Sequence, residues 1–237
     1  EAESEKFGVI GAMAQLVDRE NVSEDVLVIA GDNIISFAVS DFIDYFQETG
    51  TTTIAAYDVG SRERAKSYGL VELEGEEVVD FQEKPEDPKS TLVSIACYAF
   101  PADTLSLLES YLDGDNNPDE PGWFIQWLQD RDRVMAYTFD GAWFDIGTPE
   151  SYLDAVQWTL DGENLVAEDA TLEDTTLGEN VHVMSGVEID ESHLDRSIVF
   201  PDSTIEHCDI RDSIIDENTN LANIDFSGAL VGAHTTI

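Results

Sequence analysis

Residues 26–33 read VLVIAGDN, and this stretch decides the fold class. A run of apolar residues ends at Gly31, and the polar residues Asp32 and Asn33 follow. A continuous apolar run of this kind is typical of a parallel strand that is covered on both faces. Open α/β sheets bind their ligands beyond the carboxyl ends of their strands, where Asp32 stands. The stretch therefore predicts an α/β sheet with a carboxylate at its functional edge.

The segments around this strand have the spacing of a βαβ unit. Apolar residues recur at helical spacing in 7–19 and 39–49, and a strand rich in β-branched residues follows at 51–59. Strand, helix and strand in this order favour a Rossmann-like, mostly parallel sheet. Further along, similar patterns predict a hairpin, a strand and a helix at 69–85, 92–100 and 149–160.

After Gly162, bulky aliphatic residues recur at about every sixth position. The gaps are mostly five or six residues, with one gap of ten where HLDR (193–196) looks like an insertion. This hexapeptide-repeat pattern predicts a left-handed parallel β-helix. We therefore expect an α/β domain over residues 1–161 and a β-helix domain over 162–237. An irregular acidic tail is the alternative.

The charge is extreme, with 51 Asp and Glu against 11 Lys and Arg and a net charge of −40. Such a surface repels phosphate backbones and anionic lipids, so nucleic acid and membranes are not expected partners. The carboxylates are scattered along the chain, which indicates a halophilic protein whose self-repulsion is screened by concentrated salt. With neither a signal-peptide pattern nor an apolar stretch of about 18 residues, we expect a soluble cytoplasmic protein. The two cysteines lack the spacing of a zinc site.

Two carboxylates are candidates for a metal site. Asp145 follows a second strand-like stretch in WFDIGTP (143–149). Thr148, next to Pro149, is the better helix cap, which leaves Asp145 without a structural role. Asp32 and Asp145 together could bind one Mg²⁺ that bridges phosphate oxygens. The alternative for Asp32 is that it only caps a turn.

Lys84, in the tripeptide EKP (83–85), is a candidate for binding an anion. The chain has only four lysines, and this one follows a predicted strand. An ammonium group binds phosphate as a point charge. The alternative is a solvated lysine in a turn that pairs with Glu83.

The motifs occur together in an order that resembles one enzyme family. The quoted stretches are AGDN (30–33), YGL (68–70), FQEKP (81–85), WFDIGTPESY (143–152) and the repeat tail. In this order they resemble the sugar-phosphate nucleotidyltransferases, in particular the glucose-1-phosphate thymidylyltransferase or uridylyltransferase branch in a haloarchaeal version. The resemblance implies transfer of a nucleotidyl group from dTTP or UTP to a sugar-1-phosphate, expected to be glucose-1-phosphate, with Mg²⁺ as cofactor and pyrophosphate as product.

The resemblance also implies roles for individual residues. The family's metal ligands match Asp32 and Asp145. The positions that match its substrate-binding residues are Gly8 and Gly11 at the nucleobase, Gly69 and Glu83 at the sugar, and Lys84 at the sugar phosphate. Asp32, Lys84 and Asp145 are therefore the expected catalytic residues.

The chain also departs from the family pattern. The family begins with a Gly-rich loop, G-x-G-T-R-x-x-P, that is not found here, so we expect this chain alone to be inactive. A non-catalytic regulatory or assembly subunit is one alternative function. Acetyl transfer by the repeat tail is another, because the four histidines all lie there: His182, His193, His207 and His234. The favoured role of the repeats is to join subunits into a homo-oligomer.

Overall fold

The computed structural model describes residues 7–237, which divide into two compact units. The first unit ends at Trp143 and the second is Phe144–Ile237. This division groups the helix at 149–160 with the repeats that follow it. The domain boundary that we predict after residue 161 rests on the change in sequence pattern, and it stays a prediction.

The first unit alternates helices and strands. Its helices are α1 (Gly8–Glu20), α2 (Val39–Thr49), α3 (Arg62–Ala65), α4 (Ala102–Leu105), α5 (Leu107–Leu112) and α6 (Pro121–Gln129). Its strands are β1 (Val26–Ile29), β2 (Asn33–Ile35), β3 (Thr52–Asp58), β4 (Gly69–Glu74), β5 (Glu77–Glu83), β6 (Leu92–Phe100) and β7 (Val134–Thr138), and β8 (Trp143–Asp145) continues into the second unit. The predicted hairpin and the strand at 92–100 are confirmed.

The strands of the main sheet lie in the order β1-β6-β3-β7-β5-β4. Strands β3 and β7 pair in parallel, whereas β6 is antiparallel to β1, β3 and β4, and β5 is antiparallel to β4 and β7. Four strands (β1, β3, β4 and β7) therefore share one direction, and β5 and β6 oppose them. The predicted α/β class is confirmed, and β1 and β3 have the expected common direction, although β6 lies between them.

Strand β1 differs from the expectation of a strand covered on both faces. It stands at the end of the described sheet, and its last residue, Ile29, is 40% exposed. The apolar run predicted the strand correctly, but apolarity alone does not tell a central position from a terminal one.

Helices cover both faces of the sheet because neighbouring residues of a strand point to opposite sides. Ile54 of β3 packs in a cluster with Ile10 of α1 and Phe124 of α6. The next residue, Ala55, packs in a second cluster with Phe42 of α2 and Trp143. The sheet therefore has one core on each face, and α6 belongs to the first.

Helix α7 (Pro149–Leu160) lies near the start of the second unit. The Thr148 side chain accepts a hydrogen bond from the Ser151 amide at 3.1 Å, and the Thr148 amide donates to the Ser151 hydroxyl at 3.1 Å. This reciprocal capping box confirms the predicted helix start at Pro149 and the capping role of Thr148.

Short strands fill the rest of the second unit. They are β9 (Leu165–Val166), β10 (Thr171–Glu173), β11 (Thr176–Leu177), β12 (His182–Val183), β13 (Glu188–Asp190), β14 (His193–Asp195), β15 (Ile198–Val199), β16 (Thr204–Glu206), β17 (Asp209–Arg211), β18 (Ile214–Ile215), β19 (Asn220–Ala222), β20 (Asp225–Ser227) and β21 (Leu230–Val231). They stack in parallel into three sheets, β10-β13-β16-β19, β11-β14-β17-β20 and β9-β12-β15-β18-β21.

These sheets form a solenoid whose coils advance by 16 or 17 residues. Thr171 aligns with Glu188, Glu188 with Thr204, and Thr204 with Asn220. Three strands a coil give an inward residue at every fifth or sixth position, as the repeat pattern predicts. The parallel β-helix is thus confirmed as a stacked solenoid, and its left-handed sense stays a prediction.

The insertion predicted at HLDR (193–196) is wrong. Leu194 is fully buried and aligns with Leu177 and Ile210 in the adjacent coils. The apparent gap of ten between Ile189 and Val199 therefore consists of two ordinary steps of five. The polar residues on either side of Leu194 concealed an inward position.

Buried hydroxyl groups connect successive coils of the solenoid. The Ser197 side chain accepts a hydrogen bond from the Ser213 amide at 3.2 Å, and the Ser203 side chain accepts one from the Thr219 amide at 3.1 Å. Each hydroxyl thus satisfies a backbone N–H that would otherwise be buried without a partner. Among the helices in residues 7–237, none is long and apolar enough to span a bilayer.

Candidate functional site

Asp32 lies in an exposed turn that joins β1 to β2. The Ala30 amide donates to the Ala96 carbonyl at 2.9 Å, which fixes the start of the turn on β6. The Asp32 carboxylate accepts a hydrogen bond through Oδ1 from the Asn33 side chain at 2.9 Å. An added β-carbon at Gly31 would meet no atom within 4 Å, so the backbone beside Asp32 is open to a ligand.

Asn33 was missed by the sequence analysis. Its side-chain oxygen accepts a hydrogen bond from the Trp143 indole at 2.6 Å, while its amide donates to Asp32. Ser36 forms two further hydrogen bonds between the same two segments. Its amide donates to the Ala142 carbonyl at 3.0 Å, and its hydroxyl accepts from the Ala142 amide at 2.8 Å. The GDN turn is thereby fixed against the strand segment that leads to Asp145. Asn33 and Trp143 both stand in motifs quoted above, AGDN (30–33) and WFDIGTPESY (143–152). Their presence in these motifs was the signal in the sequence that could have pointed to Asn33.

Asp145 is the last residue of β8 and is half-buried. It belongs to the second unit, whereas Asp32 belongs to the first, so their predicted sharing of one Mg²⁺ stays a prediction. In residues 7–237 no three His, Cys, Asp or Glu side chains gather closely enough to hold a metal ion by themselves. An ion at the predicted site would have to take further ligands from a phosphate substrate or water.

Glu83 and Lys84 lie at the end of β5, beside Gly69 at the start of β4. Strand pairing places Gly69 opposite Glu83. The Lys84 ammonium forms an ion pair with Glu120, at the start of α6, and not the pair with Glu83 that we weighed as the alternative. Both side chains of this pair are partly exposed, so the pair itself adds at most about 1 kcal/mol to stability. The lysine therefore remains accessible to a ligand anion.

The carboxyl group of Glu83 is largely removed from water. Its pKa is raised from 4.5 to about 7, mainly by burial and also by the nearby Glu120 carboxylate, while the Lys84 ammonium opposes the shift. A carboxyl group with this pKa carries a proton for part of the time at neutral pH, so it can donate as well as accept hydrogen bonds. Both properties suit recognition of sugar hydroxyls, which donate and accept.

Gly8 and Gly11 lie on the first turns of α1. Gly8 has φ +66°, and an added β-carbon there would overlap the Pro118 carbonyl, so glycine is required. The Ile10 amide donates to the same carbonyl at 2.9 Å. These contacts place the start of α1 against the loop that precedes α6. Their predicted role at the nucleobase stays a prediction.

The four histidines of the repeats are spread over the solenoid. His182 lies on β12 and is half-buried, which lowers its pKa, and His193 lies on β14. His207, at a corner, contacts the Glu191 carboxylate at 3.2 Å. The alternative of acetyl transfer by these residues stays untested.

Comparison with known proteins agrees with these features. The sequence model of the family described as nucleotidyl transferase matches residues 1–162. Similar proteins are named glucose-1-phosphate adenylyltransferase. That of Fervidobacterium nodosum is 34% identical over 142 residues, which cover 58% of this chain and 34% of the relative. That of Bacillus cereus is 27% identical over 245 residues, which cover 90% of this chain and 62% of the relative.

The chain thus spans between about a third and three fifths of the length of these relatives. The resemblance to sugar-phosphate nucleotidyltransferases is confirmed. The relatives are named for adenylyl transfer rather than for the thymidylyl or uridylyl transfer of the branch that the motifs resemble.

Proposed function

Since the chain belongs to the nucleotidyl transferase family, we propose that the intact protein transfers a nucleotidyl group from a nucleoside triphosphate to a sugar-1-phosphate. The observation that supports this most directly is the pair of neighbours Glu83 and Lys84, one a largely buried carboxyl group and the other an accessible ammonium group. Together they offer hydrogen bonds to sugar hydroxyls and a counter-charge to the phosphate.

The names of the relatives support glucose-1-phosphate and ATP as the substrates. The motif resemblance favours dTTP or UTP with the same sugar phosphate. The experiment below therefore compares the three triphosphates directly.

In the proposed reaction an oxygen of the sugar-1-phosphate attacks the α-phosphorus of the triphosphate. The bond from that phosphorus to the bridging oxygen of the β-phosphate breaks, and pyrophosphate leaves with the electron pair. No covalent enzyme intermediate is needed, so the protein contributes alignment and charge neutralisation. Lys84 binds the phosphate of the incoming sugar, and Glu83 orients the sugar ring through its hydroxyls.

The donors at the predicted metal site fit Mg²⁺, which binds through one or two carboxylates plus substrate phosphates. Asp32 is exposed, and its hydrogen bond to Asn33 engages only Oδ1. Asp32 and Asp145 are the residues that would hold the ion. When bound, it would neutralise charge on the reacting phosphates.

A pyrophosphate-release assay on the intact protein tests the proposal. Each of ATP, dTTP and UTP is combined with glucose-1-phosphate in molar KCl and Mg²⁺, with glucose as the control acceptor that lacks phosphate. We expect release with one triphosphate and no release with glucose. Lys84→Ala is expected to raise the KM for glucose-1-phosphate at least tenfold, and Lys89→Ala to leave it unchanged. Absence of release with every triphosphate would refute the proposal. That result would favour the alternative of a non-catalytic subunit.

A further inference from the structure

Helix α6 contacts both Glu83 and Lys84, although it begins some forty residues further along the chain. The Gln126 side-chain oxygen accepts a hydrogen bond from the Glu83 amide at 3.0 Å. Glu120, the N-cap of α6, pairs with the Lys84 ammonium. Gly122 lies directly against the Glu83 carboxyl group. One helix therefore touches the backbone of Glu83 and both side chains of the pair.

Gly122 leaves the space that the Glu83 carboxyl group occupies. A β-carbon added at Gly122 would lie 2.9 Å from Oε1 and would overlap Cδ and Oε2. Glycine within a helix costs about 1 kcal/mol relative to alanine, and Gly122 has no positive φ that would require glycine. The contact with Glu83 is the feature that explains glycine here.

Gly69 bounds the same carboxyl group from the hairpin. A β-carbon there would lie 2.8 Å from Glu83 Oε2 and would also overlap the Phe81 ring. Two glycines on separate elements thus form a slot for one carboxyl group. A β-carbon at either position would displace the Glu83 carboxyl group.

Lys84 is fixed independently of its side chain. Its backbone has φ +44°, which is uncommon for a residue with a β-carbon. Its amide donates to the Tyr68 carbonyl at 3.1 Å. An ammonium group has three N–H donors, so a contact with Glu120 orients it and leaves donors for a phosphate.

We propose that α6 positions Glu83 and Lys84 for the sugar-1-phosphate, with Gly122 as the specificity-determining residue for the sugar and Glu120 as a positioning residue for Lys84. This inference rests on the proposed function. A side chain at position 122 would displace the Glu83 carboxyl group from its present position and so change which sugars fit. Loss of the Glu120 carboxylate would free the Lys84 side chain to sample other rotamers.

The charged and titratable groups that face Glu83 agree with this arrangement. They are Lys84 on its own chain segment, Glu120 before α6, Tyr98 on β6 and Tyr111 on α5. Burial, together with the Glu83 charge, raises the pKa of Tyr111 to about 12. The tyrosines therefore stay neutral and the two carboxyl groups decide the charge beside Lys84.

Calorimetric titration of the intact protein with glucose-1-phosphate tests the role of Gly122. We expect Gly122→Ala to raise the Kd at least tenfold and to leave the affinity for the triphosphate unchanged. Gly232→Ala is the control, because a β-carbon there meets no atom within 4 Å. An unchanged Kd in a folded Gly122→Ala protein overturns the inference.

The role of Glu120 is tested in the same titration with the variants Glu120→Ala and Asp119→Asn. These two variants decide the inference if Gly122→Ala does not fold. We expect Glu120→Ala to weaken glucose-1-phosphate binding at least threefold. Asp119→Asn removes a neighbouring exposed carboxylate and is expected to leave the affinity unchanged or to raise it. Tighter binding in Glu120→Ala would mean that Glu120 only repels phosphate, and would overturn the positioning role.

These outcomes separate the inference from the proposed function. If the wild type turns over substrate and the variants bind glucose-1-phosphate with an unchanged Kd, the inference is refuted and the proposed function stands. Wild-type binding without turnover refutes the function, and the ratio of Kd values still decides the inference. If the wild type does not bind glucose-1-phosphate, both are refuted.

Discussion

Replacing Glu83 with glutamine is expected to stabilise the protein against thermal unfolding, and this stabilisation is expected to be larger at pH 8 than at pH 5. The pKa of Glu83 is raised from 4.5 to about 7 in the folded protein, chiefly by burial. The folded protein therefore keeps a proton that the unfolded chain releases as the pH rises from 4.5 to 7. The free energy of unfolding falls through this window, and the full loss is reached above pH 7.

The size of the effect follows from the shift. At 1.36 kcal/mol for each pKa unit, it corresponds to an upper bound of about 3 kcal/mol. Glu83 is not fully buried, and solvent screens part of its interaction with Glu120, so we expect about 1–2 kcal/mol. Glutamine has nearly the same shape and cannot ionise, so it avoids this loss.

Thermal unfolding of the wild type and of Glu83→Gln at pH 5 and pH 8, in the same KCl concentration, measures the effect. Glu86→Gln is the matched control, since Glu86 is an exposed glutamate three residues further along the chain. The reasoning is refuted if Glu83→Gln changes the melting temperature equally at both pH values. It is also refuted if Glu86→Gln shows the same dependence on pH.

Three other predictions concern separate parts of the chain. Asp32→Asn or Asp145→Asn is expected to abolish Mg²⁺-dependent pyrophosphate release while the circular dichroism spectrum stays unchanged, and normal turnover in either variant would remove that residue from the metal site. Leu194→Ala is expected to lower the free energy of unfolding by about 2–5 kcal/mol, measured by denaturant titration against the exposed Leu230→Ala, and equal small losses would contradict the inward position of Leu194. Dialysis from molar KCl to low salt is expected to lower the melting temperature, because the net charge of −40 is then poorly screened; a melting temperature independent of KCl would contradict the halophilic interpretation.

Most helices and strands could be predicted from local sequence patterns, but the order of the strands in the sheet could not. The apolar run at 92–100 predicts β6 with its observed bounds. The sequence does not reveal that β6 inserts between β1 and β3, because strand partners depend on the whole chain rather than on local periodicity. In the repeats, Leu194 was overlooked because His193 and Asp195 made its segment resemble a polar insertion.

The candidate site shows the same division. Asp32, Lys84 and Asp145 could be named as candidates from the sequence because they follow strand-like stretches and match motifs of the family, and their roles stay predictions. Gly122 and Glu120 were not found, because DGDNNPDEPG (113–122) reads as a surface loop rich in turn residues. Their contacts with Glu83 and Lys84 join segments some forty residues apart, and no local spacing encodes them.

The contacts of α6 also bear on how an acidic protein could bind an anionic substrate. With both carboxyl groups ionised, Glu83 and Glu120 would outweigh the single charge of Lys84 and repel a phosphate. Protonation of Glu83 makes the three groups neutral together, and its raised pKa brings this state within reach near neutral pH. The slot between Gly69 and Gly122 withdraws the Glu83 carboxyl group from water, and this withdrawal is the main cause of the raised pKa. In the proposed complex the two glycines would therefore affect the charge beside the phosphate as well as the position of the carboxyl group beside the sugar.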